Sequence, residues 1–162
     1  MARGGSKGLP RKNLRQIGGK PMIVWTVEAG KQSQCIDRLI LSSEDKEIIE
    51  AVRKLECEIP FIRPTDLATD EASPIDVIRH AIESLPENYD YLVLLQPTSP
   101  LRIANDIDQC VELCYQKKAP ACVTLTESEK TPYWMYELKD GHRMYPVLSR
   151  TERAVRRQDL PK

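Results

Sequence analysis

Tyr91-Leu92-Val93-Leu94-Leu95-Gln96-Pro97 is the stretch on which the fold turns. Five apolar or aromatic residues follow one another without alternation and stop at a polar amide and a proline. A strand with one wet face alternates, whereas an unbroken run suits a strand covered on both faces, as in a parallel sheet. Upstream, Ser73-Pro74 opens a helix: Ser73 sits at the N-cap, Pro74 in the first turn, and Asp76 three residues after the cap. Its expected buried stripe is Ile75, Ile78, Ile82 and Leu85. Residues 63–72 read as a loop. Ile59-Pro60-Phe61-Ile62 reads as a short edge strand, because proline donates nothing to a ladder. Further back, Ile48, Ile49, Val52 and Leu55 recur at helical spacing behind a Ser43 cap. Arg38-Leu39-Ile40-Leu41 is a second short buried strand, ending at Ser42-Ser43. A turn at Gly18-Gly19 precedes a helix opened by Pro21 and carrying Ile23, Val24, Val27 and Ala29. Downstream lie a helix over 105–117, a strand over 121–125, and two weaker strands, 134–138 and 143–147. These last flank Asp140-Gly141 as a hairpin.

This alternation predicts an α/β chain with a Rossmann-like, doubly wound, mainly parallel sheet. Residues 1–162 read as one domain, incomplete at both termini. Only Met1-Ala2 precedes a glycine-rich loop that a central strand normally launches, so the first strand is expected to be missing. Leu160-Pro161-Lys162 closes no element. Sheets of this kind bind ligands beyond the C-terminal ends of their strands. The polar segments expected there are Ser42-Ser43, 63–73 and 96–102.

The charge balance narrows the partners. The 162 residues carry 24 basic and 24 acidic side chains, so no overall field draws nucleic acid or an anionic membrane. No apolar run is long enough to span a bilayer, and no secretory leader is recognisable. Cys35, Cys57, Cys110, Cys114 and Cys122 are odd in number and scattered, which reads as reduced, mostly buried thiols of a cytoplasmic protein. Cys110 and Cys114 share a helix face with Ile107 and Val111 and read as core rather than as a metal pair. His80 and His142 join no nucleophilic triad.

The segment Arg3-Gly4-Gly5-Ser6-Lys7-Gly8-Leu9-Pro10-Arg11-Lys12-Asn13 carries the chemistry. Glycines let backbone N–H groups approach phosphate oxygens closely. Arg3, Lys7 and Lys12 supply positive charge, and the Ser6 hydroxyl can donate to a phosphate. The spacing fits neither a Walker loop nor a dinucleotide fingerprint. An anion-binding loop is one reading, and a basic chain end without fixed structure is the other.

This loop, Arg63-Pro64, the run from Leu95-Gln96-Pro97 to Arg102, and Arg156-Arg157-Gln158-Asp159 occur in one order. Together they resemble the acylneuraminate cytidylyltransferases, the CMP-sialic acid synthetases. The resemblance implies a Mg²⁺-dependent transfer of CMP from CTP to a nine-carbon 2-keto sugar acid, with release of pyrophosphate. N-acetylneuraminic, legionaminic and pseudaminic acids are all candidate acceptors. By the same resemblance Arg3, Ser6, Lys7 and Lys12 hold the triphosphate, and Arg3, Lys7 and Lys12 act in catalysis by offsetting charge on the leaving pyrophosphate. Asn13 touches the nucleotide near its α-phosphate and ribose, and Arg63 faces the cytosine. Ser73 has a base contact or its helix cap to make, and the cap reading stands first. A second serine common after it in the family is Pro74 here. Gln96, Arg157 and Gln158 are assigned to the sugar acid, while Thr98, Ser99 and Arg102 shape their turn. A solvated basic tail is the rival reading for Arg157 and Gln158. The family's paired metal-binding aspartates fall beyond Lys162, and the family is homodimeric. Asp66 and Asp70 do not match the metal positions, and Asp106 and Asp108 point to different helix faces. Two alternatives stay open: another sugar nucleotidyltransferase on this fold, and a truncated, non-catalytic nucleotide-binding copy.

Overall fold

The computed structural model describes residues 1–6, 8–126, 132–139 and 143–148. The chain divides into two compact units, Met1–Thr124 and Leu125–Lys162.

The first unit opens on a loop that ends in a single 3₁₀ turn, Lys12–Leu14. A two-residue hairpin follows, β1 (Gln16–Ile17) against β2 (Lys20–Pro21). Gly18 and Gly19 form its tip with φ of 57° and 85°, the positive values that a tight primed turn needs at both central positions. Helix α1 (Met22–Gln32) starts immediately, and the Trp25 indole N–H donates to the Ile17 carbonyl at 2.8 Å, tying hairpin to helix. Seven of the eleven α1 residues are buried, so this helix is covered on more than one face. Helix α2 (Lys46–Arg53) instead buries one stripe, Ile48, Ile49 and Val52. These meet Ile23, Val24, Val27, Leu41, Cys57 and Ala2 in the core. Each fully buried aliphatic there contributes about 1.5–3 kcal/mol. The cap of α2 differs from expectation. Asp45, not Ser43, accepts from the amides of Glu47 and Ile48, both at 3.0 Å, while Ser43 is fully buried and its hydroxyl accepts from the Asp45 amide. A carboxylate two residues later in the chain reaches the orphan amides better placed and carries full charge for them.

The segment 39–43 behaves as a strand. The Leu41 amide donates to the Glu58 carbonyl at 2.8 Å and the Glu58 amide to the Leu39 carbonyl at 3.3 Å, a parallel bridge centred on Ile40 and Glu58. The Arg63 amide continues this side by donating to the Ser43 carbonyl at 3.0 Å, and on the other side the Ala2 amide donates to the Ser42 carbonyl at 3.1 Å. Among the described residues this is the only parallel pairing. The expected strands at 59–62, 91–95 and 121–125 form no ladder with one another.

Helix α3 (Pro74–Glu83) begins where expected, with the Ser73 hydroxyl accepting from the Ile75 amide at 3.2 Å. Its buried face does not match the expected stripe. Val77 and Ala81 are buried, while Ile75 and Ile82 are 66% and 51% exposed. Ile78, Ile82 and Leu85 look into an open cleft, so the apolar stripe exists but has no wall opposite it. Helix α4 (Ala104–Lys117) buries Ile107 and Cys114. Asp108 fixes it to the end of α1 by accepting from the Ser33 hydroxyl and from the amides of Gln34 and Cys35.

In the second unit β3 (Tyr136–Lys139) pairs antiparallel with β4 (Arg143–Pro146), in register Tyr136 to Pro146 and Lys139 to Arg143. This is the expected hairpin; Asp140, Gly141 and His142 lie outside the described residues.

Candidate functional site

The loop is a seated structure rather than a loose terminus. Asn13, buried, donates its side-chain amide to the Arg3 carbonyl at 3.0 Å, which closes the loop on itself. The left-handed Arg11 (φ 56°) turns the chain into the 3₁₀ turn. Arg11 then forks onto Asp45 and reaches Glu47 at 2.8 Å. Burial works against the Asp45 charge. The Arg11 hydrogen bond and the Ile48 and Glu47 amides outweigh it, and the pKa falls below the usual carboxylate value.

Gly4 packs directly on this pair. A Cβ there would stand 2.9 Å from Asp45 Cγ and 3.1 Å from Asp45 Cβ, whereas around Gly5 and Gly8 there is open space. The Gly4 amide donates to Glu44 Oε1 at 2.7 Å. Glu44 Oε2 is buried with no hydrogen-bond partner among the described residues, an unsatisfied position of the kind that buried polar atoms seldom keep. Glu44, Asp45 and Arg11 were not picked out from sequence as site residues. The signal available was Ser-Ser-Glu-Asp directly after an apolar strand, where ligand-facing loops begin.

Arg3 leaves the loop to meet the segment 63–73, donating to the Ala68 carbonyl at 3.4 Å and pairing with Asp70 at 2.5 Å. Arg63 is 5% exposed and holds the Ser42 hydroxyl through Nε at 3.0 Å and the Ser42 carbonyl through Nη2. Burial pulls its pKa down, against the opposing pull of Glu44. The loop therefore meets Ser42–Asp45, at the end of the 39–43 strand, through the Ala2 and Gly4 amides and Arg11, and Arg63 joins them there through Ser42. Ser6 and Lys12 are half-buried on the same loop, and the Lys12 ammonium has no ion-pair partner among the described residues.

Gln96 is exposed on the next turn. Its carbonyl accepts from Arg102 Nη2 at 3.1 Å and from the Ser99 amide at 3.3 Å. Arg102 also reaches the Thr26 hydroxyl of α1 at 3.4 Å, so this arginine braces the turn. Burial lowers its pKa. The Met1 amine, buried, is lowered from 8.0 to about 6, first by burial and then by the charges of Arg63 and Arg102. Ser73 acts as a helix cap, as described above. Lys7, Arg157 and Gln158 lie outside the described residues.

No group of three His, Cys, Asp or Glu side chains among the described residues could hold a metal ion. Asp70 is engaged by Arg3 and Asp45 by Arg11, so the acids near the loop do not make up a Mg²⁺ site. No helix among them is long and apolar enough to cross a membrane.

Comparison with known proteins matches the chain to one family. A family model described as cytidylyltransferase covers residues 1–144. A pseudaminic acid cytidylyltransferase of Campylobacter jejuni subsp. jejuni serotype O:23/36 is 35% identical over 164 residues, spanning 99% of this chain and 70% of the relative. The CMP-N,N'-diacetyllegionaminic acid synthase of Legionella pneumophila is 33% identical over 91% of this chain and 65% of its own length. An N-acylneuraminate cytidylyltransferase of Escherichia coli O18:K1:H7 is 36% identical over 86% of this chain and 33% of its own. A solved structure of a CMP:2-keto-3-deoxy-manno-octonic acid synthetase complexed with CTP shares the fold, with a TM-score of 0.62 and 24% identity. It covers 73% of this chain and 46% of that one. The chain belongs to the cytidylyltransferase family.

Proposed function

We propose that this chain activates a nine-carbon 2-keto sugar acid by transferring CMP to it from CTP. The observation that supports this reading best is the cation-rich loop, closed by Asn13 and seated at the end of the 39–43 strand beside Arg63. Relatives named for pseudaminic, legionaminic and N-acylneuraminic acids set the acceptor class. The anomeric hydroxyl attacks the α-phosphorus, an O–P bond forms, the bond to pyrophosphate breaks, and the hydroxyl proton is released. Arg3, Lys7 and Lys12 offset the charge that grows on the departing pyrophosphate. Ser6 donates to the triphosphate, Asn13 lies by the α-phosphate and ribose, and Arg63 by the cytosine, with Ser73 at the rim of the base. Gln96, Arg157 and Gln158 hold the sugar acid, the guanidinium suiting its carboxylate through a fork of donors. Mg²⁺ is part of the expected reaction, and the acids among the described residues do not gather into a site for it. The finer architecture that goes with this reading is a mainly parallel, doubly wound sheet, acting as a homodimer in the cytoplasm.

The test is a thermal-shift series with CTP, UTP, ATP and GTP, followed by pyrophosphate release with the three acceptor acids. A ligand at a hundred times its dissociation constant adds about 2.7 kcal/mol of stability. CTP should shift the midpoint most, and equal shifts with all four nucleotides would remove the cytidylyl assignment.

A further inference from the structure

The glycine-rich loop has an inner and an outer side, and its glycines divide between them. Gly4 faces inward: a Cβ there would meet Asp45, and its amide donates to Glu44 Oε1 at 2.7 Å. Gly5 and Gly8 face outward, with nothing within 4 Å of where a Cβ would stand. The backbone follows the same division. Asn13 holds the Arg3 carbonyl and Glu44 holds the Gly4 amide. Beyond that point the Gly5, Ser6 and Gly8 amides donate to no backbone carbonyl among the described residues. Free donors beside open space are what an anion-binding concavity needs. Glu44 is therefore the last anchor before the free stretch, and it sets the direction in which that stretch leaves.

Glu44 is well placed for this hold. It follows the 39–43 strand directly and precedes Asp45, the cap of α2, so its backbone is fixed on both sides. Its Oε2 is buried without a hydrogen-bond partner among the described residues. Arg63, the cation that feels this carboxylate, spends Nε and Nη2 on Ser42 instead. No side-chain donor among the described residues thus competes with the Gly4 amide for Glu44. A backbone amide bonded to a carboxylate is also stronger than a bond between neutral groups. The neighbouring acids are occupied elsewhere, Asp45 by Arg11 and the α2 amides and Asp70 by Arg3.

We propose that Glu44 is the positioning residue of the glycine-rich loop: by holding the Gly4 amide inward it turns the Gly5, Ser6 and Gly8 amides outward, toward the triphosphate of the nucleotide. Glu44 touches no substrate in this role. It acts by preorganisation, because a loop already turned does not have to be ordered when the ligand arrives. The contact, not the charge alone, does this, so reach and charge separate in the variants. Aspartate keeps the charge, but its carboxylate stops about 1.5 Å short, the length of one C–C bond. Glutamine keeps the reach and an acceptor oxygen and loses the charge. Alanine loses both. The ligand in this inference rests on the nucleotide reading, whereas the hold on Gly4 is measured without any ligand, so either can fail alone.

The test compares Glu44→Gln, Glu44→Asp and Glu44→Ala with the unaltered chain. Amide hydrogen exchange is followed at Gly4, and CTP and cytidine are titrated separately. Gly4 exchange should accelerate about tenfold or more in the alanine and aspartate variants, and less than about threefold in the glutamine variant. CTP affinity should fall about five- to tenfold in the same two variants, while cytidine, which carries no phosphate for the loop, should bind within about twofold of the unaltered chain. Equal losses for CTP and cytidine would make Glu44 a general structural support and overturn the inference. An aspartate variant that behaves like the unaltered chain would overturn it too, by making charge rather than contact the operative property. Unchanged Gly4 exchange in the alanine variant removes the hold itself. If the alanine variant does not fold, the contrast between glutamine and aspartate decides. If the unaltered chain binds no nucleotide, the nucleotide reading falls, and Gly4 exchange alone judges the hold.

Discussion

Replacing Gly4 with alanine tests how the loop is seated. The added methyl would stand 2.9 Å from Asp45 Cγ and 3.1 Å from Asp45 Cβ, and turning the carboxylate away to clear it gives up the bonds that Arg11 and the Glu47 and Ile48 amides make to it. Either the loop lifts or Asp45 moves. If Asp45 moves, α2 loses the cap that holds the Glu47 and Ile48 amides, a loss of about 0.5–2 kcal/mol. The Arg11 pair is loosened as well. Since the Arg11 side chain is 40% exposed, solvent screening limits that loss to about 0.2–1 kcal/mol. The sum is roughly 1–3 kcal/mol, or a fall in melting temperature of about 2–12 °C for a chain of this size. The assay is a thermal or urea melt of Gly4→Ala, Gly5→Ala, Asp45→Ala and the Gly4→Ala/Asp45→Ala pair. Gly5 has open space around it, so its substitution should be within about 0.5 kcal/mol of neutral. In the Asp45→Ala background the Gly4 penalty should shrink by half or more, the signature of coupled neighbours. Equal effects at Gly4 and Gly5, or an undiminished Gly4 penalty without the Asp45 carboxylate, would refute the seating described above.

Three further outcomes are expected. Asp70→Asn should raise CTP affinity about two- to fivefold in a titration, because the Arg3 guanidinium no longer has to leave a charged partner; weaker binding would show that Asp70 positions Arg3 rather than competing for it. Lys12→Ala should lower turnover by about a hundredfold with an unchanged melting temperature, and loss of stability without a kinetic defect would give Lys12 a structural role instead. In the chain with a free Met1 amine, the folded pKa of about 6 lies below the ordinary 8.0, so the unfolded state binds more protons between them. Stability should therefore rise as pH climbs from about 6 to about 8, by roughly 2–3 kcal/mol, and acylating the nitrogen should flatten that rise.

What the sequence could reveal depended on whether the decisive partner was near in the chain. Helices α1 to α4 were readable because caps, prolines and apolar spacing are local: Ser73 both opens α3 and caps it. The loop stood out in the sequence because its charges and glycines have little other purpose, and in the fold Asn13 holds the Arg3 carbonyl while Arg63 holds Ser42. The glycines, however, are unequal in a way that composition hides. Only Gly4 is required by a close approach, and the partner that requires it, Asp45, is forty-one positions away. The same holds for Glu44, whose tie to the Gly4 amide spans forty positions. The strand at 91–95 and the stripe of α3 fail for a different reason. Hydrophobic pattern records which faces a segment must cover, and Leu92, Ile78 and Ile82 carry that requirement correctly. Whether the requirement is met depends on a second surface, and here three such faces turn toward one open cleft. Pattern and exposure part at Leu92 and Ile82 because the spacing that makes a face apolar is local in the chain, whereas the surface that would cover that face is not.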